Sequence, residues 1–178
     1  NITQQKTGAL FDIKGMQSKV KKFVGTSLPN FPKSVNTASV KDDISLLHIG
    51  SNHWLLRAPL DQEPALTEIL RPNDAPADLS IILVSDTLSF FSVIGPDADQ
   101  VINIASPLDI HPQAFPETGA TFTEIFGLKG LIIRQKDGFS IAVEQSYGDM
   151  INDYLSRVMA WKKTMRPEPT FPLQDTLS

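Results

Sequence analysis

VSDTLSFFSVIGPDADQVI, Val84 to Ile102, holds the transition on which the fold reading turns. Its first half closes on an apolar run, Leu88 to Ile94 (LSFFSVI), with the length and the aromatic and β-branched content of a strand. Gly95-Pro96-Asp97 then breaks the strand and opens a helix. Pro96 suits the first helical position, and Asp97 and Asp99 suit its positive end. Beyond them Ala98, Val101, Ile102 and Ala105 recur on one helical face, the stripe that such a helix buries.

Upstream of this junction, Leu79 to Val84 (LSIILV) reads as another strand and Glu63 to Leu70 as a short helix. Ile44 to Ile49 and Trp54 to Ala58 flank Gly50-Ser51-Asn52, which predicts a β-hairpin. Ala9 to Ile13 alternates as a short strand. Met16, Val20, Phe23 and Val24 then fall on one helical face, and LPNFPKS, with Pro29 and Pro32, is loop. Downstream, Thr121 to Phe126, Leu131 to Gln135 and Phe139 to Glu144 form an antiparallel meander, with turns at Gly127 to Gly130 and at Lys136-Asp137-Gly138. A long helix from Ser146 to Lys163 follows. Ser146 with Asp149 resembles a capping box, and Met150, Ile151, Tyr154, Leu155 and Val158 share one face. Short helices alternating with mostly antiparallel strands predict an α+β fold whose sheets are covered on one side by helices. The expected organisation is one domain over residues 1–163 and a proline-rich C-terminal arm over 164–178, which contains Pro167, Pro169 and Pro172.

The 178 residues suffice for a core without any covalent staple. The absence of cysteine removes disulfides, thiolate nucleophiles and Cys-based metal sites, and fits a cytoplasmic location. A net charge of −4 has the wrong sign for general phosphate-backbone binding, so no nucleic-acid partner is expected. No apolar run approaches the ~20 residues needed to span a bilayer, and the first thirteen residues lack the basic-then-apolar order of a signal peptide. The ten glycines include no GxG pair, so neither a dinucleotide fingerprint nor a phosphate-cradling loop is present. There is likewise no GxSxG elbow and no HExxH helix.

The candidate polar sites are sparse. His48 and His53 flank the hairpin turn without adjacent carboxylates and read as hairpin side chains, one packing beside Trp54, rather than as metal ligands. In SPLDIHPQAFP, Ser106 to Pro116, Asp109 and His111 stand two positions apart. Either the carboxylate orients the imidazole, or Asp109 caps a turn stiffened by the flanking prolines, and the composition favours the turn. Lys19, Lys21 and Lys22 read as a solvated helix face. Trp161 and Phe171 are apolar groups at or within a segment that has no core of its own; they either dangle or dock onto a partner.

Four stretches in order, GSNHWLLRAP (50–59), VSDTLSFFSVIGPDADQVI (84–102), SPLDIHPQAFP (106–116) and FSIAVEQSYGDMINDYL (139–155), resemble the gamma subunit of heterotetrameric sarcosine oxidase. That family is in turn similar to the folate-binding domain of aminomethyltransferases, where a loop Asp after the same strand, Gly-Pro-Asp and helix contributes to the folate site. The matching residue is Asp109, although this chain has Leu108 where the transferases carry Asn. The resemblance implies a non-catalytic subunit that acts in assembly and stability, with alpha, beta and delta subunits as partners. It places FAD, FMN, NAD, zinc and tetrahydrofolate on those other subunits and no cofactor, metal ligand or catalytic residue on this chain. The complex oxidatively demethylates sarcosine to glycine, passing the methyl carbon as formaldehyde or to tetrahydrofolate and electrons to oxygen. The alternative is a free-standing folate-binding or one-carbon transfer domain that uses Asp109.

Overall fold

A computed structural model describes residues 1–165. The strand, Gly-Pro-Asp and helix unit lies at its centre, as β7 (Leu88–Ile94) and α3 (Ala98–Ala105). Before it come β1 (Ile2–Gln4), β2 (Ala9–Lys14), α1 (Gln17–Val24), β3 (Thr37–Lys41), β4 (Ile44–Gly50), β5 (His53–Ala58), α2 (Glu63–Leu70) and β6 (Ser80–Leu83). After it come β8 (Ala120–Ile125), β9 (Leu128–Gln135), β10 (Gly138–Glu144) and α4 (Gly148–Thr164). The strands form two five-stranded sheets, ordered β1-β7-β10-β9-β8 and β3-β4-β5-β2-β6. Every pairing is antiparallel.

Strand alternation sorts the apolar residues into three layers. In β10, Phe139, Ile141 and Val143 face the helices α3 and α4, meeting Val101, Ile102, Ile151 and Leu155. Ala142 points the other way and joins Phe90, Leu131 and Ile133 against Leu10, Leu47 and Leu55 of the second sheet. The outer face of that sheet, with Phe11, Ile13, Leu46 and Trp54, packs on Val20 and Val24 of α1 and Leu66 and Leu70 of α2. The two sheets therefore stack face to face, and a helix pair covers the outer side of each. This is the α+β sandwich that the sequence predicts. Each fully buried Leu, Ile or Phe contributes about 1.5–3 kcal/mol, so the stacked layers supply the bulk of the stability. At one edge β3 and β8 are also stitched together, with Ala38 N–H donating to Thr118 O at 2.7 Å and Ala120 N–H to Asn36 O at 3.0 Å.

Several boundaries differ from the sequence reading. The β8–β9 turn is the pair Phe126-Gly127, both with positive φ (47° and 81°), so β9 begins at Leu128 rather than Leu131. Gly130 belongs to the strand and not to the turn. A Cβ there would meet Ile125 Cδ1 at 2.4 Å, so it is a site of close packing. The expected Ser146–Asp149 capping box does not form: Ser146 Oγ donates to Glu144 Oε1 at 3.1 Å, and α4 starts at Gly148 behind a short 3₁₀ turn. Likewise α3 starts at Ala98, with Pro96 in the preceding turn. Residues 166–178, which include most of the expected arm and Phe171, lie outside the described residues.

Candidate functional site

The α3–β8 connector carries Asp109 and His111, and local hydrogen bonds decide what they do. Asp109 Oδ1 accepts from the His111 backbone N–H at 2.9 Å, and His111 Nδ1 accepts from the Gln113 N–H at 3.3 Å. The His111 carbonyl takes the Ala114 and Phe115 N–H groups at 2.9 and 2.8 Å. The Asp109 carboxylate thus reaches the His111 main chain and not its imidazole, in the self-closing turn that Asp commonly makes. Both residues are exposed.

From below, Arg134 on β9 fixes this connector. Its Nε donates to Phe115 O at 3.0 Å, and its Nη2 donates to Ile110 O. The guanidinium lies over the rings of Phe115 and Phe139, 5.4 and 4.9 Å from their centroids. Ile110 and Phe115, flanking the turn, are buried under α3 and α4. Two apolar anchors and one cationic fork therefore hold the stretch from Ser106 to Gly119 in shape, and its prolines lower the entropy lost on ordering.

The hairpin histidines divide. His48 stacks on Trp54, ring centroids 5.2 Å apart and planes 21° apart, as the sequence reading expects for one of the pair. His53 does something the sequence did not announce: its Nε2 donates to Asp12 Oδ1 at 2.5 Å, with Lys14 Nζ 3.7 Å from the other carboxylate oxygen. The ladder that sets Lys14 opposite His53 brings these groups together across 41 residues. They border a crevice of about 380 Å³ between the two sheets, floored by Leu10, Leu55, Leu88 and Phe122. A carboxylate holding an imidazole can orient it for proton transfer. Among the described residues, no group of three or more His, Cys, Asp or Glu is placed to hold a metal ion.

At the other end of the β2–β5 pair stands Arg57, opposite Leu10. It lies between the sheets over Phe90, 4.1 Å from the ring centroid, and its Nη2 donates to Gln5 Oε1 at 2.7 Å. Ser140 Oγ donates to the same oxygen at 3.1 Å, so the three polar groups bridge the two sheets. Burial lowers the Arg57 pKa from its ordinary value. An arginine inside the apolar run HWLLRA was the available sequence signal for this cluster.

Along α4 a line of aromatic side chains faces outward. Tyr154 and Trp161, seven residues apart on one side of the helix, are 37% and 53% exposed, and Tyr147 in the turn just before the helix is 42% exposed. Met165 extends the line at 64% exposure, and Phe126 packs edge-on against Tyr154 at 5.3 Å. Among the described residues, no helix is long and apolar enough to cross a membrane.

No family model and no curated protein sequence matches the chain significantly. Solved structures do match in shape. A chain of heterotetrameric sarcosine oxidase from Corynebacterium sp. U-96 superposes with a TM-score of 0.78 and 19% identity, covering 90% of this chain and 84% of that one. The glycine cleavage system aminomethyltransferase T from Bartonella henselae superposes with a TM-score of 0.65 and 17% identity over 86% of this chain. The present chain spans 44% of that transferase. In fold, the protein is similar to a chain of sarcosine oxidase and to part of an aminomethyltransferase, the two resemblances carried by its sequence motifs.

Proposed function

We propose that this chain is the gamma subunit of a heterotetrameric sarcosine oxidase-type complex in the cytoplasm, contributing to assembly and stability and not to the chemistry. The supporting observation is the extent of the fold likeness, which takes in nine-tenths of this chain and most of its counterpart in an enzyme of that name. The partners are the alpha, beta and delta subunits, and FAD, FMN, NAD, zinc and tetrahydrofolate bind on those. The complex converts sarcosine to glycine, with the methyl carbon leaving as formaldehyde or passing to tetrahydrofolate. On this chain the aromatic line of α4 is the docking face, because exposed Tyr and Trp in a row supply large contact area at little entropic cost. The Arg134-held connector is a rigid shaped surface in which Asp109 and His111 form turns.

The test is affinity purification of the tagged full-length chain from cells that also express flavoprotein subunits encoded beside it. Copurification of flavin-bearing chains in fixed ratio is expected; recovery of the tagged chain by itself refutes the proposal. The competing reading, a free-standing folate-binding domain using Asp109, draws on the likeness to part of an aminomethyltransferase. Calorimetric titration with tetrahydrofolate separates the two: binding heat that disappears in Asp109→Ala selects the folate reading.

A further inference from the structure

Where β5 leaves its sheet, the segment leading into β2, the start of β4 and the end of β5 frame a cleft of about 560 Å³, within the usual range for small-molecule pockets. Arg57 is its most unusual lining residue. A guanidinium has five N–H donors, and among the described residues one bond is made, to the neutral amide oxygen of Gln5. Phe90 covers one face of the group, which directs further partners to its edge. Among the described residues, no carboxylate lies within ion-pair distance of Arg57. A half-buried charge without a counter-ion is unfavourable, and arginine's planar fork is matched best by a carboxylate.

The surroundings narrow the ligand class. Lys6, Thr7 and Ser45 line the same cleft, and their side-chain donors have no partner among the described residues. Asp43 also lines it, with Oδ1 accepting from Gln62 Nε2 at 2.6 Å. Two cations facing one carboxylate leave a single positive charge, which a monoanion neutralises; a phosphate dianion costs more to desolvate and leaves a negative charge uncompensated in the cleft. Ala58, Pro59 and Leu60 form an apolar wall beside the charged groups.

We propose that this cleft binds a small monocarboxylate, its carboxylate edge-on to Arg57 with Lys6 alongside and its apolar body against Ala58, Pro59 and Leu60. The site is separate from the subunit role, and its test does not depend on that role. The full-length chain with ¹⁵N-labelled arginine is titrated with sodium propionate, using sodium chloride to hold ionic strength constant. Arg57→Lys identifies the Arg57 Nε–H resonance by its disappearance. That resonance should shift saturably with propionate and stay in place when chloride alone is added, and inorganic phosphate should bind more weakly. Propionate should also raise the thermal midpoint of the native chain. The lysine variant keeps the charge but loses the fork, so matching that rise should take roughly tenfold more propionate. Asp43→Asn should tighten binding several-fold by removing the rim's negative charge. A linear shift that chloride reproduces, an equal response in Arg57→Lys, tighter binding of phosphate, or loss of binding in Asp43→Asn overturns the proposal.

Discussion

Replacing Arg134 by methionine should loosen the α3–β8 connector while leaving the sheets in place. The guanidinium donates to two main-chain carbonyls, those of Ile110 and Phe115, and no other donor reaches either oxygen among the described residues. A hydrogen bond from a charged group is worth about 1.5–3 kcal/mol, and a carbonyl left unpaired in the interior adds a desolvation cost of its own. Methionine recovers some packing against Phe115 and Phe139, and its neutral thioether brings no charge to desolvate on folding. The net loss should be about 3 kcal/mol. At this chain length that corresponds to a drop of roughly 6–12 °C in the thermal midpoint. Arg134→Lys keeps the charge but satisfies one carbonyl at a time, so its loss should be about half as large. Thermal unfolding followed by circular dichroism gives the global change. Hydrogen exchange at the Ala114 and Phe115 amides, both bonded to His111 O, reports the connector directly. If Arg134→Met matches the native chain to within about 0.5 kcal/mol and those amides stay equally protected, Arg134 does not hold the loop.

Three other perturbations probe separate parts of the molecule. Gly138 has a φ of +153°, and a Cβ there would meet Val93 O at 2.1 Å; Gly138→Ala should therefore cost about 3 kcal/mol or more in urea unfolding, and a loss below 1 kcal/mol contradicts the steric argument. Trp161→Glu changes an exposed side chain, so stability should hold to within about 0.5 kcal/mol while partner subunits are lost in purification; full retention of the partners removes α4 from the interface. The Lys19 ammonium donates to Asp78 Oδ2 and holds that carboxyl below the usual carboxylate range. A carboxylate depressed in this way adds stability that is present above its unfolded pKa and lost as pH falls through the folded one. Because the pair is exposed and screened, Asp78→Asn should be slightly less stable than native at pH 7, with the gap narrowing as pH falls below the unfolded carboxylate range and closing in 1 M salt; a gap independent of pH speaks against the pairing.

The parts legible in the sequence were those where local pattern and tertiary packing agree. Leu88 to Ile94 followed by Gly-Pro-Asp and an apolar stripe became β7 and α3, because the residues that repeat at helical spacing are the ones buried in the layer under α4. Ile2–Gln4 and Thr37–Lys41 went unread, since both are edge strands with mostly polar residues, and only their neighbours in the ladder make them strands. The β8–β9 turn was displaced toward Gly130 because glycine marks both turns and close approaches, and here the packing of Ile125 explains it. Asp109 is legible as a turn residue because prolines and Asx chemistry are local signals, and its hydrogen bond from the His111 N–H is local too. The Asp12–His53 pair and the Arg57, Gln5 and Ser140 bridge depend on strand registers that span 41, 52 and 135 residues; no local window contains them.

The subunit role is tested most directly by the native mass of the full-length chain purified under mild conditions with whatever holds to it. A hetero-oligomer is expected whose colour and N-methyl amine oxidation stay with the other chains once this one is stripped away. A chain that runs as a monomer and oxidises sarcosine unaided contradicts that role.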